Sequence, residues 1–366
     1  MTKTVAIIGT RGYPSYYGGF ETLIRNLAPY LADQGWDVAV YGRPGSVVPG
    51  DAERDPRVES IITRGVESKS LSTVSFGLTA TMHACRRGPD AALVMNVANG
   101  FWLPMLARRG IPSVVNVDGM EWERDKWGRA ARFVFRSGAK LTARYGERLV
   151  VDSAEIGRRW RAEFHRTGEF IPYGGTVPDA GAVDLDVQVN RPYALMVARF
   201  VPENSVREFF EAAEILSRRW DVVIVGSSGY GGEFDASARR LSEGSDRIHW
   251  LGQVSDDRLL FGLWRNAGAY FHGHSVGGTN PALVQAMACG APTVARDTVY
   301  NHEVLHDAAV YVEPDGRAIA AAIDGVLSDP ALQRHLGSAA FTRQQREYTW
   351  EQVCEKYACL LREVTR

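Results

Sequence analysis

The α/β character of the chain is plainest in AYFHGHSVGGTNPALVQAMACGAPTVAR, residues 269–296. AYFHG (269–273) and PTVAR (292–296) are apolar runs of strand length, and PALVQAMACG between them is an apolar segment of helix length. Asn280 suits an N-cap, Pro281 the first helical position, and Cys289 with Gly290 the helix end. A helix joining two strands returns the second strand parallel to the first. The same unit recurs in both directions. YALMVAR (193–199), DVVIVGSS (221–228), IHWLG (248–252) and AVYVEP (309–314) extend the set, and helix-length amphipathic segments separate them. Upstream, VAIIGT (5–10), DVAVYG (37–42), ESIITR (59–64), AALVMNV (91–97), SVVNVDG (113–119) and RLVVDS (148–153) make a second set. This alternation predicts an α/β protein with two Rossmann-like halves facing a cleft. Residues 1–175 form the first domain, 176–191 a Pro- and Asp-containing linker, and 192–345 the second domain. The helix expected at 346–366, with Trp350, Val353, Tyr357 and Leu360 on one face, should pack back on the first domain.

Composition excludes several classes. The 366 residues are 45% hydrophobic and 23% charged, as in soluble globular proteins, and the formal net charge of −1 gives no global attraction to nucleic acid. The opening MTKTVAIIGT starts a strand rather than a signal segment, and no apolar run approaches the roughly 18 residues of a membrane span. A cytoplasmic protein is expected. Four cysteines, at 85, 289, 354 and 359, form neither a CxxC pair nor a metal spacing, so reduced thiols are expected.

In open parallel sheets, ligands bind where loops and helix N-termini leave the carboxyl ends of the strands. After the first strand comes GTRGYPSYYGGFE (9–21), whose glycines do not follow the dinucleotide fingerprint. Gly18 and Gly19 precede a segment with Leu23, Leu27 and Leu31 at helical spacing, and Pro29 should kink that helix. Their bare amides suit an anion at a helix N-terminus, or equally a loop that needs glycine for its backbone. The fifth strand delivers Asp118, Glu121 and Trp122 in NVDGMEWERDKW, where a carboxylate can grip sugar hydroxyls or stabilise developing positive charge. Arg199 ends the strand YALMVAR, where a guanidinium can hold a diphosphate, and Asn204 or Ser205 can cap the following helix. In the 269–296 unit, Gly277 and Gly278 allow close backbone approach, with Thr279 and Asn280 leading into the helix. His272 and His274 are two apart, but no third ligand accompanies them, and the Asp184/Asp186 pair lies in the linker. No metal is expected.

Several stretches taken together resemble the retaining GT-B glycosyltransferases of family four: GGFE (18–21), VAR with PEN (197–204), LGQVSDDRL (251–259) and QAMACGAPTVA (285–295). Within that family GTRGYPSYYGGFE, VNVDGMEWERDKW and HGHSVGGTNPALVQAMACG are similar to a subgroup containing bacterial rhamnosyltransferases of polysaccharide assembly. The resemblance implies no cofactor, a dTDP- or UDP-sugar as co-substrate bound mainly by the second domain, and a glycan or polyprenyl-diphosphate-linked acceptor bound by the first. Arg199 would hold the diphosphate, the 277–280 amides with His274 the sugar and phosphate oxygens, and Val254 would lie near the base. Gly18, Gly19, Asn204 and Gln285 complete the implied donor set. Arg11, Tyr13, Glu121 and Trp122 are the implied acceptor set, and Asp118 with Arg199 the catalytic pair. The family usually carries glutamates where this chain has Gly277 and Gln285, a Lys at Asn204 and a His at Asp118. Gln285, lacking a charge, is then expected to favour a deoxyribose donor. Because both glutamates are missing, a regulatory nucleotide-sugar-binding protein is a second reading, and a GT-B epimerase a third.

RDKWGRAARFVFRSGAKLTARYGER (124–148) sets Arg129, Arg132, Arg136, Lys140, Arg144 and Arg148 along one helical face, with Phe133, Leu141 and Tyr145 mostly away from it. Such a helix fits an anionic membrane surface, which suits a lipid-linked acceptor, or is simply a solvated charged face.

Overall fold

The structure is a computed structural model that describes every residue except 1, 17, 48–49, 68–71, 125–126, 179–188 and 230. The Asp184/Asp186 pair and most of the expected linker therefore lie outside the described residues. The chain divides into two compact units, Met1–Tyr173 with Trp350–Arg366, and Gly174–Thr349.

The first unit contains β1 (Lys3–Ile8), α1 (Gly19–Asp33), β2 (Trp36–Gly42), β3 (Val58–Ile62), α2 (Ser72–Arg87), β4 (Ala91–Met95) and α3 (Leu103–Arg108). It continues with β5 (Ser113–Asn116), α4 (Arg129–Tyr145), β6 (Arg148–Val151), α5 (Ala154–Phe164) and β7 (Glu169–Phe170). Its sheet is parallel in the order β3-β2-β1-β4-β5-β6-β7. The second unit contains β8 (Tyr193–Val197), α6 (Val206–Leu216), β9 (Asp221–Val225), α7 (Glu233–Gly244), β10 (Ile248–Trp250), α8 (Asp257–Asn266) and β11 (Ala269–His272). It ends with α9 (Pro281–Ala288), β12 (Thr293–Arg296), α10 (Val299–Leu305), β13 (Ala309–Val312), α11 (Gly316–Ser328) and α12 (Pro330–Glu347), in parallel order β10-β9-β8-β11-β12-β13. The last helix, α13 (Trp350–Val364), belongs to the first unit. Each unit is thus a doubly wound α/β layer of the expected class.

Both faces of each sheet are covered, which explains why the strands read as continuous apolar runs. In β8, Ala194 and Met196 enter one buried cluster while Tyr193 and Leu195 enter another, as the two-residue pleat requires. Leu23, Ile24, Leu27 and Leu31 of α1 share a core with Val353, Tyr357, Leu360 and Leu361 of α13. Trp350 is only partly buried against it. Asn280 caps α9 by accepting from Ala282 N, Pro281 opens the helix, and Gly290 follows it at φ +69. α1 runs as a single element with Pro29 inside it. Arg148 falls on β6 rather than on the basic helix, because Gly146 ends that helix.

Candidate active site

The strand orders locate the switch points. In the second unit the chain winds outward from β8 to β10 and then crosses back to β11, so the crevice opens between the carboxyl ends of β8 and β11. Residues 198–205 and 273–280 line it. The two loops are tied together. Ser275 N donates to Glu203 O at 2.9 Å, and Ser205 Oγ donates to Gly273 O at 2.9 Å. Asn204 Nδ2 donates to Arg199 O at 2.8 Å, and its Oδ1 accepts from His274 Nδ1 at 2.6 Å. From α10, Asn301 Nδ2 donates to His274 O at 3.1 Å and to Arg296 O at 2.9 Å, while Arg296 Nη1 donates to Ser205 Oγ at 3.1 Å. Three adjacent strand ends are thereby fixed as one polar network. Ser205, not Asn204, precedes α6, and it does so at φ +52 with no side-chain cap, because its hydroxyl is spent on Gly273.

Arg199 stands out from this network. It is exposed, and its guanidinium has no partner among the described residues. An unpaired guanidinium beside a loop that feeds the N-terminus of α9 is an arrangement for an anion of two or more oxygens. Gly277 takes φ +98, a left-handed backbone that favours glycine, so a glutamate at this position would be strained without a change of loop conformation. Thr279 is buried, whereas Gly278 and Asn280 are half-buried. Val254 is half-buried beyond the end of β10.

The histidines divide. His272 is buried on β11, its Nδ1 3.1 Å from the Tyr270 hydroxyl, and burial pushes its pKa down to about 3, so it stays neutral. His274 is half-buried and held by Asn204 and Asn301. Among the described residues no group of three or more His, Cys, Asp and Glu side chains is placed to hold a metal. Sequence reasoning missed two residues here. Asn301 lies two strands from Arg199 and carries no motif of its own. Glu203 is buried, and both its carboxylate oxygens lack a partner among the described residues, an unusual arrangement for a native protein.

In the first unit the chain crosses from β3 to β4, so the switch point lies between β1 and β4. Gly9 follows β1 at φ +97, and a Cβ there would lie 2.4 Å from Met95 O and 2.6 Å from Asn99 Nδ2. Arg11 N donates to Glu21 Oε1 at 3.0 Å, which holds the β1 loop over the start of α1. Gly18 is the N-cap of α1 in extended backbone, without a side-chain cap, and Gly19 is its first residue. At the ends of β4 and β5, Asn96 and Asp118 adopt φ +69 and φ +59, and Asn96 Nδ2 donates to Asp118 Oδ2 at 3.1 Å. Two neighbouring non-glycine residues in left-handed backbone is a strained arrangement that folds retain chiefly at functional sites. α13 supports it: the Tyr357 hydroxyl accepts from Asn116 Nδ2 at 2.7 Å, and Asn116 Oδ1 accepts from Asp118 N at 2.9 Å.

Several expected site residues are engaged elsewhere. Tyr13 is 1% exposed, with its hydroxyl accepting from Asp55 N at 3.1 Å, so it is a core residue rather than an acceptor contact. Trp122 is buried edge-on against Trp160 and Phe164, and Glu121 is buried while pairing with Arg124 at 2.5 Å and accepting from Trp127 Nε1 at 2.9 Å. Their turn folds inward because the aromatic ring gains more from burial than a solvated loop allows. Asn204 uses both amide atoms within the protein, as described above. Gln285 does the same: its Oε1 accepts from Thr176 N at 3.0 Å and its Nε2 donates to Thr176 O at 2.7 Å. It is a clip on the main chain, with neither amide atom turned to a ribose as the deoxyribose preference expected of it requires. Gln285→Glu sets a carboxylate against the Thr176 carbonyl, so the expected result is a loss of about 1 kcal/mol in stability with the ratio of UDP to dTDP affinity unchanged. Thermal unfolding alongside calorimetry of both nucleotides checks this, and an altered ratio would return Gln285 to the nucleotide site.

On α4, Arg132 is folded back, with Nε donating to Trp127 O at 2.9 Å and Nη2 to Arg124 O at 3.2 Å. Arg136 pairs with Glu163 at 2.8 Å. Arg129, Lys140 and Arg144 are exposed, and Phe133 lies on their face at 74% exposure, not away from it. Among the described residues no helix is long and apolar enough to cross a membrane.

Known proteins give the same outline. The sequence profile Glycosyl transferase 4-like domain matches residues 18–174, and Glycosyl transferases group 1 matches residues 183–343. O-antigen chain mannosyltransferase B of Escherichia coli is 29% identical over 167 residues, a match covering 43% of this chain and 42% of that protein. Among solved structures, sucrose-phosphate synthase of Thermosynechococcus elongatus superposes with a TM-score of 0.80 at 20% identity, covering 99% of both chains. HepE of Anabaena in complex with UDP superposes with a TM-score of 0.76 at 14% identity, covering 99% of this chain and 100% of that one. The doubly wound units and the full-length structural likenesses show that this chain has the GT-B fold, and two glycosyltransferase profiles match its halves in succession.

Proposed function

We propose that this protein is a retaining, metal-independent glycosyltransferase that moves a hexose from a nucleoside-diphosphate sugar to a hydroxyl of a glycan or lipid-linked glycan precursor. The observation that carries the reading is the unpaired Arg199 guanidinium at the β8–β11 switch point, next to the 273–280 loop that opens α9. Arg199 and the amides of the loop would take the charge that develops on the departing diphosphate. The sugar would pass through an oxocarbenium-like state, and a leaving phosphate oxygen on the same face would accept the acceptor proton. That route retains the anomeric configuration and requires no dedicated base. Asp118, held in strained backbone by Asn96 and Asn116, is assigned to sugar hydroxyls. L-Rhamnose is the favoured sugar, on the likeness of the motifs at 9–21, 115–127 and 272–290 to rhamnosyltransferases. The UDP in the HepE complex and the O-antigen relative support a nucleotide donor and a bacterial polysaccharide product.

Calorimetry with nucleoside mono- and diphosphates in EDTA tests the diphosphate role. The diphosphate should bind about tenfold more tightly than the monophosphate, and Arg199→Ala should erase the difference. Equal affinities in the unaltered protein would remove Arg199 from the donor site.

The exposed face of α4 supports a lipid-linked acceptor. Phe133 amid Arg129, Lys140 and Arg144 combines an apolar anchor with cations, each worth about 1 kcal/mol at an anionic surface. In flotation assays, Phe133→Asp with Lys140→Glu should abolish binding to anionic vesicles. Undiminished flotation would leave α4 as a solvated face. The commitment of Asn204 and Gln285 to internal contacts favours one other reading, a nucleotide-sugar-binding regulator, which predicts binding without turnover.

A further inference from the structure

In the second unit, α12 and the turn that follows α10 line a groove of about 610 Å³. It lies at the amino-terminal side of β13, since His306 and Asp307 immediately precede that strand, whereas the site described above is at the carboxyl ends. The other wall is α12, where Arg334, Ser338 and Thr342 follow at intervals of four residues and so share one face, with His335 beside them. These six side chains have no hydrogen-bond or ion-pair partner among the described residues. The groove is nevertheless firmly built. Arg343, also in its lining, is only 10% exposed at its side chain and donates through Nε to Val304 O at 2.6 Å and through Nη2 to Glu303 O at 3.1 Å, which pins α12 to α10.

The lining selects a ligand class. Arg334 with His335 and His306 offers donors for a phosphate, and Ser338, Thr342 and Asp307 offer neutral and acceptor groups for hydroxyls. The carboxylate of Asp307 and the pairing of Arg343 and Arg346 with Glu347 leave too little positive charge for an extended polyanion. The volume suits a small polar ligand. α10 links the groove to the loop at the switch point: Leu305, its last residue, is followed by His306 in the groove, and Asn301 near its start holds His274 O and Arg296 O. We propose that this groove binds a phosphorylated sugar and that α10 couples its occupancy to the 273–280 loop. The binding claim stands alone, and the coupling rests on the reading of that loop as the donor site.

The test titrates a hexose 6-phosphate, free hexose and inorganic phosphate into the full chain by calorimetry, in the presence and absence of UDP. Hexose 6-phosphate should bind in the unaltered protein and in Arg199→Ala, and more weakly by about tenfold or more in Arg334→Glu, whose exposed position keeps its melting temperature unchanged. Phosphate alone should bind weakly and hexose not at all. UDP affinity should change on saturation with hexose phosphate, and the hexose phosphate affinity should change by the same factor with UDP, as linkage requires. Asn301→Ala should remove that mutual effect while leaving hexose phosphate bound. No binding of hexose 6-phosphate, or binding indifferent to Arg334→Glu, overturns the groove. Binding with no effect on UDP overturns the coupling. If UDP itself fails to bind, the donor reading fails, while the groove is still decided by the Arg334 comparison.

Discussion

Arg199→Ala should lower kcat/KM for the donor sugar by about 100- to 1,000-fold, the effect of deleting a preorganised charge from a transition state that sheds a diphosphate. The same substitution should leave the unfolding free energy within about 0.5 kcal/mol, because it removes no hydrogen bond or ion pair of the described residues. That combination is diagnostic. A residue holding the fold would lose both, and a solvated surface charge would lose neither. Steady-state kinetics with thermal unfolding on one preparation separates the cases. The loss should appear mainly in kcat if the guanidinium meets the phosphate most strongly as it leaves, and mainly in KM if it holds ground state and transition state alike.

Gly9→Ala should cost about 3 kcal/mol or more, combining backbone strain at φ +97 with the collision of a Cβ against Met95 O at 2.4 Å and Asn99 Nδ2 at 2.6 Å. Neither neighbour yields easily. Met95 O ends β4, and Asn99 Nδ2 already donates to it at 2.7 Å. Gly45→Ala is the internal control, since Gly45 has φ +73 but nothing within 4 Å of an added Cβ, so it should lose only about 1 kcal/mol. Denaturant melts of the two variants measure the difference. Equal losses would mean that the β1–β4 switch point is looser than the close approach implies.

The fold was legible because both sheets are buried on both faces. Runs such as YALMV and DVVIV are continuous in the sequence for the same reason that they are central in the sheets. The α9 unit was read almost residue by residue, since an N-cap, a first-turn proline and a terminal glycine are local signals. β7 was not read, because two exposed residues carry no pattern. The site was legible at strand ends and illegible where a side chain turns back. Arg199 and Asp118 follow apolar strands and stand where that placement suggests. Gln285, Asn204 and Glu121 sit in the motifs as plausibly, but each is tied up by a partner distant in sequence or in a turn: Thr176, His274, Trp127. Periodicity cannot show such partners. Phe133 shows the same limit on a helix, where the exposed face was found from its cations but the aromatic among them was set on the wrong side.

Gly277 carries the clearest departure from the family pattern. A lost glutamate there could be a simple deletion of function, but φ +98 shows that the loop backbone is built around glycine. Under the proposed function, the amides of this loop and Arg199 would contact the donor, and the Asn204–His274–Asn301 network would hold them in place.

Turnover of nucleotide-sugars by the purified protein decides whether it is a retaining, metal-independent transferase. Nucleoside diphosphate release is followed across dTDP-, UDP-, GDP- and ADP-sugars with a glycan acceptor in EDTA, and the product anomer is read by proton NMR. Release is expected from at least one donor, with a product that keeps the donor's anomeric configuration and a rate that collapses in Arg199→Ala. Tight donor binding with no release under any acceptor condition, or an inverted product, would contradict the proposed function.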